Sequence, residues 1–286
     1  MELVDMYFIQ DKISTKKIYN SSKPIILILD SGIGGISIYT EIQKKFPNIN
    51  YIYVFDNAGF PYGNKHEIFI IKRIFNIFKQ ISSKYSISLA IIACNTASII
   101  SLIKLRKHYI FPIIGLVPAI ECSISRTRNG IVGLLATCNT IRSAYIRQLI
   151  LQYSNKYKII TISSNRLVNI SESKFIGKKI FLEEIHYVIK PWLNLLEIPD
   201  TIVLGCTHFI SLRDELQQIF PKNTCLIDFN KDILYRINQI LNYKFHRAKS
   251  SEENIVFCTC INSKAIQISL LLKRLGFTVF KKLVLT

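Results

Sequence analysis

With 286 residues, 49% of them hydrophobic and 11% aromatic, the chain carries enough apolar material for about two packed domains, which excludes a disordered protein. No apolar run reaches the roughly 20 residues of a membrane span, and Met1-Glu2-Leu3-Val4-Asp5 lacks the basic start and apolar block of a secretory signal. A soluble, cytoplasmic protein is expected. The formal charge of +18 comes from dispersed lysines, the pattern of a solvated surface, and no Lys/Arg-dense block with interleaved aromatics marks a nucleic-acid footprint. Seven scattered cysteines do not resemble a disulfide framework, and Cys258-Thr259-Cys260 is too close a pair for a zinc half-site, so free thiols and no metal are expected.

Residues 1–23 are polar and mixed, and read as an extension preceding the fold. From Pro24 onward strand and helix patterns alternate. A strand over 25–29 closes on Asp30-Ser31-Gly32-Ile33-Gly34-Gly35, and helical spacing follows to Phe46, with Pro47-Asn48 as a stop. A strand over 51–55 ends in Asp56, Pro61-Tyr62-Gly63 marks a turn, and 66–85 repeats Ile and Phe at amphipathic-helix spacing. The β-branched run from Leu89 delivers Cys94-Asn95-Thr96, then come a helix over 98–108 and a short strand ending at Val117-Pro118. A strand over 130–136 ends in Thr137-Cys138-Asn139-Thr140, a helix runs to about Tyr153 and a strand covers 158–162. A helix over 181–196, interrupted at Pro191, leads into Thr201-Ile202-Val203-Leu204-Gly205 and then Cys206-Thr207-His208. A helix over 211–220, a strand over 225–227 capped by Asp228, a helix over 232–241, a strand over 254–258, a helix over 263–275 and a strand near 277–283 complete the chain.

This alternation predicts an α/β protein with mainly parallel sheets, which bind ligands beyond the carboxyl ends of their strands. Those ends carry Asp30-Ser31, Asp56, Cys94-Asn95-Thr96, Thr137 and Cys206-Thr207-His208, a concentration that implies a cleft. A buried cysteine is most often a small hydrophobe. Two cysteines with matched polar flanks, each entering a helix, point instead to a pair of thiol acid/base groups, because a helix N-terminus or a neighbouring imidazole favours the thiolate. His208 beside Cys206 is a candidate proton partner. Asp30 is placed to bind an ammonium group or orient a proton, although its glycine-rich loop could equally be a tight turn, and it matches neither a Walker loop nor a dinucleotide fingerprint. Gly63 permits close backbone approach to a ligand. Asn95, Thr96, Thr207, Thr137 and Thr140 are either helix caps or carboxylate-binding donors, and one segment can serve both ends.

Together, Asp30-Ser31-Gly32-Ile33-Gly34-Gly35, Asp56 with Pro61-Tyr62-Gly63, Ala93-Cys94-Asn95-Thr96-Ala97-Ser98, Val117-Pro118-Ala119-Ile120 and Gly205-Cys206-Thr207-His208 resemble the signatures of the glutamate racemase family, in that family's order, from about Pro24 to the C-terminus. The resemblance implies two doubly wound α/β domains with the active site in the cleft between them. The first domain is expected over 24–117 with 229–286, the second over 118–228. It implies a racemase without pyridoxal phosphate or other cofactor, interconverting L- and D-glutamate to supply D-glutamate for peptidoglycan. By position, Cys94 would be the base toward D-glutamate and Cys206 toward L-glutamate, assisted by Asp30 and His208 respectively, with Glu172 matching the family's auxiliary glutamate. Asp30, Ser31, Tyr62, Gly63, Asn95, Thr96, Thr137, Thr140, Thr207 and His208 would hold the substrate. The extension resembles that of the enteric-type members, which implies an activating cell-wall nucleotide precursor; a monomer or homodimer fits equally.

The chain departs from the family pattern at Asn139, where glycine is usual, at Ile210-Ser211 in place of Pro-Leu, and at Phe229-Asn230 after Asp228. None is a proton-transfer position, so loop geometry and regulation are what these changes affect. Three rival readings remain. Aspartate racemases resemble this pattern but typically carry Glu where His208 stands, and a cysteine hydrolase would leave one of the two matched thiols unexplained. A nucleic-acid or gyrase association comes from a different functional class, and the dispersed charge argues against it.

Overall fold

The computed structural model describes residues 24–228, 232–241 and 253–285; the expected extension 1–23 and the departure at Phe229-Asn230 lie outside the described residues. In chain order the elements are β1 Ile25–Asp30, α1 Ile36–Lys45, β2 Asn50–Phe55, a 3-10 turn Tyr62–Asn64, α2 Glu67–Ser82, β3 Leu89–Ile92, α3 Asn95–His108 and β4 Ile113–Gly115. Next come α4 Ile120–Ile124, β5 Ile131–Ala136, α5 Cys138–Arg142, α6 Ala144–Tyr153, β6 Lys158–Ser163, α7 Asn165–Phe175, α8 Leu182–Leu193 and β7 Thr201–Gly205. The chain continues through α9 Thr207–Ile210, α10 Arg213–Ile219, β8 Cys225–Ile227, α11 Asp232–Leu241, β9 Asn254–Cys258, α12 Ser263–Arg274 and β10 Phe277–Lys282.

Two sheets result, in the strand orders β10-β9-β2-β1-β3-β4 and β6-β5-β7-β8, and every pairing among them is parallel. The chain leaves β1 for β2 on one side and then crosses back to place β3 on the other. The same reversal occurs at β5, between β6 and β7. Each sheet therefore has one switch point, where the loops leaving adjacent strands diverge and open a crevice. One crevice is flanked by Asp30 and Cys94, the other by Thr137 and Cys206.

Strands of parallel sheets are covered on both faces, which is why β1 reads as an unbroken apolar run. Ile26 and Ile28 cluster with α1, α11 and α12 residues such as Tyr39, Ile237 and Ile268. Leu27 and Leu29 join α2 and α3, and this cluster continues into Val132 and Leu134 of the second sheet and Ile146 and Leu149 of α6. Trp192, Ile185 and Phe209 cover that sheet's other face. A shared core thus bridges the two sheets behind the cleft. Among the described residues no helix is long and apolar enough to cross a membrane.

Four details differ from the sequence expectations. The helix expected over 98–108 begins at Asn95, so Cys94 is its cap. The helix expected over 211–220 is present as α10, and an additional short helix, α9, precedes it directly after Cys206. Pro191 does not interrupt α8, because it lies in the last turn and removes only one backbone bond there. Helices α4 and α7 escape detection, the second because Ser171 and Glu172 interrupt its apolar face although both are buried.

The 56–63 loop is anchored by Asp56, which is wholly buried. Its carboxylate accepts a 2.5 Å bond from Tyr62 Oη, a two-pronged ion pair from Arg73 and a 2.6 Å bond from Thr259 Oγ1 beyond β9. The Asn57 side chain also accepts from the backbone N–H groups of Thr259 and Cys260. Asp56→Ala would strand the Arg73 charge and is expected to cost about 3–5 kcal/mol, as for other broken buried pairs. Tyr62→Phe, which removes one bond to a charged acceptor, should cost about 1.5–3 kcal/mol. Urea denaturation midpoints at unchanged slope are the measurement, and a loss from Asp56→Ala no larger than that from Tyr62→Phe would contradict this account.

Candidate active site

The carboxyl ends of β1, β3 and β7 bring Asp30, Ser31, Cys94, Cys206, Thr207 and His208 into one buried cluster, and α7 adds Glu172. Asp30 Oδ1 accepts from Gly32 N at 2.8 Å and from Ser31 Oγ at 3.3 Å, while Oδ2 accepts from Thr207 Oγ1 at 3.1 Å. That last bond joins the two sheets. Ser31 Oγ lies 3.8 Å from Cys94 Sγ. On the other side Cys206 Sγ lies 3.9 Å from His208 Nδ1, whose Nε2 is 2.7 Å from Glu172 Oε1. The same carboxylate oxygen accepts from the backbone N–H of Ile33 at 3.1 Å.

The glycine-rich loop exists to admit this second sheet. A Cβ at Gly32 would run into Glu172 Oε1 and lie 3.0 Å from His208 Nε2, so a side chain there would push apart the groups that meet across the cleft. At Gly63 a Cβ would stand 2.8 Å from Thr137 Cβ. The loop after β1 is therefore a close-approach surface, and one of its N–H groups grips a side-chain carboxylate.

Burial and charge treat the two thiols' neighbours differently. Burial, reinforced by Asp30, pushes the Cys94 thiol well above its ordinary range, so it stays protonated at neutral pH. Burial also raises the Asp30 carboxyl, against the opposing pull of His208. Burial alone would raise Glu172 as well, but the bonds and charges of His208 and Lys264 outweigh it and bring the carboxyl down to about 2. Burial would likewise lower His208, yet its contacts with Cys206 and Glu172 prevail and hold it well above the usual imidazole range. Glu172 and His208 therefore form a carboxylate–imidazolium pair, with Nε2–H donating to Glu172 and Nδ1–H directed at Cys206.

At the other lip Thr96, Thr137 and Thr140 form a hydroxyl triangle, with Oγ1 atoms 2.8, 3.1 and 3.0 Å apart, again linking the sheets. Asn95 is buried beside it. Tyr62 is brought close, but its hydroxyl is committed to Asp56, so this turn faces the cleft with backbone and Gly63. Among the described residues no group of three or more His, Cys, Asp or Glu side chains is arranged to hold a metal ion.

Several contributors escape the sequence reading. Lys264, from the start of α12, lies 2.6 Å from Glu172 Oε2. Tyr53 donates to the carbonyl of Gly32 at 3.2 Å. Two of the departures from the family pattern are structural ties. Asn139 Nδ2 donates to the carbonyls of Tyr62 and Lys65 at 2.9 and 2.7 Å, and Ser211 Oγ lies 2.8 Å from Ser171 Oγ, next to Glu172. Asn139 carries a readable cue, a polar residue on the lip opposite a turn; nothing local marks Lys264.

The low Glu172 pKa has a consequence for stability. Because the folded value lies below the unfolded one, ionised Glu172 stabilises the fold fully above about pH 4.5, and this contribution disappears as pH falls toward about 2. Glu172→Gln should accordingly be the less stable protein at neutral pH, with the gap to the parent closing on acidification. Urea unfolding at a series of pH values measures it, and a pH-independent gap would contradict the assignment.

Comparison with known proteins agrees with this geometry. Residues 34–231 match the model of the Asp/Glu/Hydantoin racemase family. A glutamate racemase from Klebsiella pneumoniae is 45% identical over 261 residues, 91% of this chain and 92% of that protein. The crystal structure of Escherichia coli glutamate racemase, in complex with L-glutamate and the activator UDP-MurNAc-Ala, superposes with a TM-score of 0.87 at 42% identity, covering 92% of this chain and 99% of that one. The glutamate racemase of Francisella tularensis shares the fold, with a TM-score of 0.73 at 23% identity over 92% of this chain and 98% of its own. On the strength of the matched family model and of 45% identity across nine-tenths of its length, the chain belongs to the Asp/Glu/Hydantoin racemase family.

Proposed function

We propose that the protein interconverts L- and D-glutamate by moving the α-proton between two thiols. The observation that carries this reading is the placement of Cys94 and Cys206 at the switch points of two different sheets, which the Asp30–Thr207 hydrogen bond ties together beside the two thiols. Racemisation needs a base on one face of the α-carbon and an acid on the other. With L-glutamate bound, Cys206 takes the proton beside the His208 imidazolium, and the protonated Cys94 thiol delivers one to the opposite face. The reverse direction exchanges the roles, with Asp30 and Ser31 serving Cys94 and Glu172 orienting His208. The carbanion is stabilised by donors that are already fixed, among side chains that are themselves buried. Ser31, Asn95, Thr96, Thr207 and the backbone at Gly63 are the donors for the substrate's carboxylates, with Thr137 and Thr140 holding Thr96 in place.

This activity supplies D-glutamate for peptidoglycan and belongs in the bacterial cytoplasm. The chain is organised as a discontinuous first domain, 24–117 with 229–286, and an inserted second domain, 118–228. An activating cell-wall nucleotide of the kind bound by the E. coli protein acts on it, with residues 1–23 contributing to the response.

Incubation with L-glutamate in D2O, without added pyridoxal phosphate, should yield racemic glutamate carrying α-deuterium. Cys94→Ala and Cys206→Ala should each reduce racemisation by at least the roughly 10²–10⁴-fold contributed by a positioned acid or base. Racemisation that survives either substitution removes the two-thiol mechanism, and faster turnover of aspartate than glutamate removes the substrate assignment. Removal of residues 1–23 should leave basal turnover in place and blunt activation by a UDP-N-acetylmuramyl-alanine precursor; an unchanged response would separate the extension from activation.

A further inference from the structure

Lys264 lies at the start of α12, which packs against the first sheet, whereas Glu172 belongs to α7, which covers the second. The Lys264 ammonium reaches across to Glu172 Oε2 at 2.6 Å, while the carboxylate's other oxygen holds His208 Nε2 and the backbone N–H of Ile33. Glu172 is thus gripped on both oxygens, each with its own task. Phe60 fills the space between the two cations: Lys264 Nζ lies 5.2 Å from its ring centroid, and the His208 ring centroid lies 5.7 Å from the same ring. The Lys264 ammonium is thus held by an aromatic face as well as by the carboxylate.

We infer that Lys264 is a positioning residue for the Cys206 half of the proton transfer: by holding Glu172 Oε2 from the opposite sheet it orients Glu172, and through it the His208 imidazole, toward the Cys206 thiol. This rests on the reading of Cys206 as an acid/base group. It makes no contact with the Cys94 half, where Asp30 and Ser31 are the neighbours. Without Lys264 one carboxylate oxygen loses its partner, and the carboxylate is held through Oε1 alone, which loosens the bond that orients His208. The titratable groups that act on His208 are Asp30 from β1, Cys206 beside it and Glu172 from α7. Lys264 acts on Glu172. An arginine would preserve the charge and the reach over Phe60, whereas a methionine would keep the stem alone.

The test is the rate at which iodoacetamide alkylates each cysteine, resolved by peptide mass spectrometry over neutral and mildly alkaline pH, in the full chain and in its Lys264→Met and Lys264→Arg variants. Cys138, partly exposed on α5, is the internal reference. Alkylation reads the thiols whether or not the protein turns over glutamate. Lys264→Met should slow alkylation of Cys206 by about tenfold and leave Cys94 within about twofold, an orienting group contributing less than the roughly 10²–10⁴-fold of the acid–base group it serves. Lys264→Arg should restore most of the rate. In the racemisation assay Lys264→Met should lower kcat with KM nearly unchanged, since Lys264 does not touch the substrate. Equal slowing of both thiols, an unchanged Cys206 rate, or a loss that merely follows a lowered melting temperature would overturn the inference. A parent protein that fails to racemise glutamate while Lys264→Met still slows Cys206 alone would retain the inference and discard the proposed function.

Discussion

A buried carboxylate is among the costliest groups a protein can enclose unless it is fully partnered. Glu172 is such a group, and its partners come from three separate segments: His208 from the second sheet, the Ile33 N–H and Lys264 from the first. The contacts with Ile33 and Lys264 form only when the two sheets stand at their native separation, whereas His208 and Glu172 meet within the second. The carboxylate therefore ties the closed cleft to the correct orientation of the imidazole, and the glycine at position 32 is what lets the parts come close enough. Asp30–Thr207 and the Thr96–Thr137–Thr140 triangle repeat the same device at other points of the cleft.

The topology explains why two thiols face one space. Each sheet reverses its winding once, at β1/β3 and at β5/β7, and a parallel sheet opens its crevice at that reversal. Bringing two such sheets together through a continuous apolar core opposes the crevices. Cys94 and Cys206 are each the residue immediately preceding a helix at one of these points. Equivalent backbone settings thus receive chemically unequal surroundings.

That inequality is electrostatic. Around Cys94 burial dominates, holding its thiol protonated and raising the carboxyl of Asp30. Around Cys206 the dominant feature is an ion pair, in which Glu172 is driven down and His208 up until both are charged. The proposed transfer of one proton between two like groups needs one of them loaded and the other assisted, and pushing neighbouring titratable groups in opposite directions is how a single pocket can achieve that.

The alternation of short β-branched runs with amphipathic stretches was enough to define an α/β protein, because burial on both faces leaves its mark in every strand. The strand ends could be read for the same reason: an apolar run that stops at Asp30, Cys94 or Cys206 announces where a side chain emerges. Segment order and the paired Cys-Asn-Thr and Cys-Thr-His motifs carried the chemistry. What lay beyond local pattern was partnership across distance. Helix α7 was obscured because Ser171 and Glu172 interrupt its apolar face, and they are buried only because His208, Lys264 and Ser211 come to meet them. Tyr62 looks like a substrate contact until Asp56 takes its hydroxyl, and Asn139 looks like a lost glycine until the Tyr62 and Lys65 carbonyls receive it. Local sequence determined which residues sit at strand ends; tertiary structure alone decided which of them are bonded to one another, because a buried polar group is satisfied by whatever the other sheet supplies.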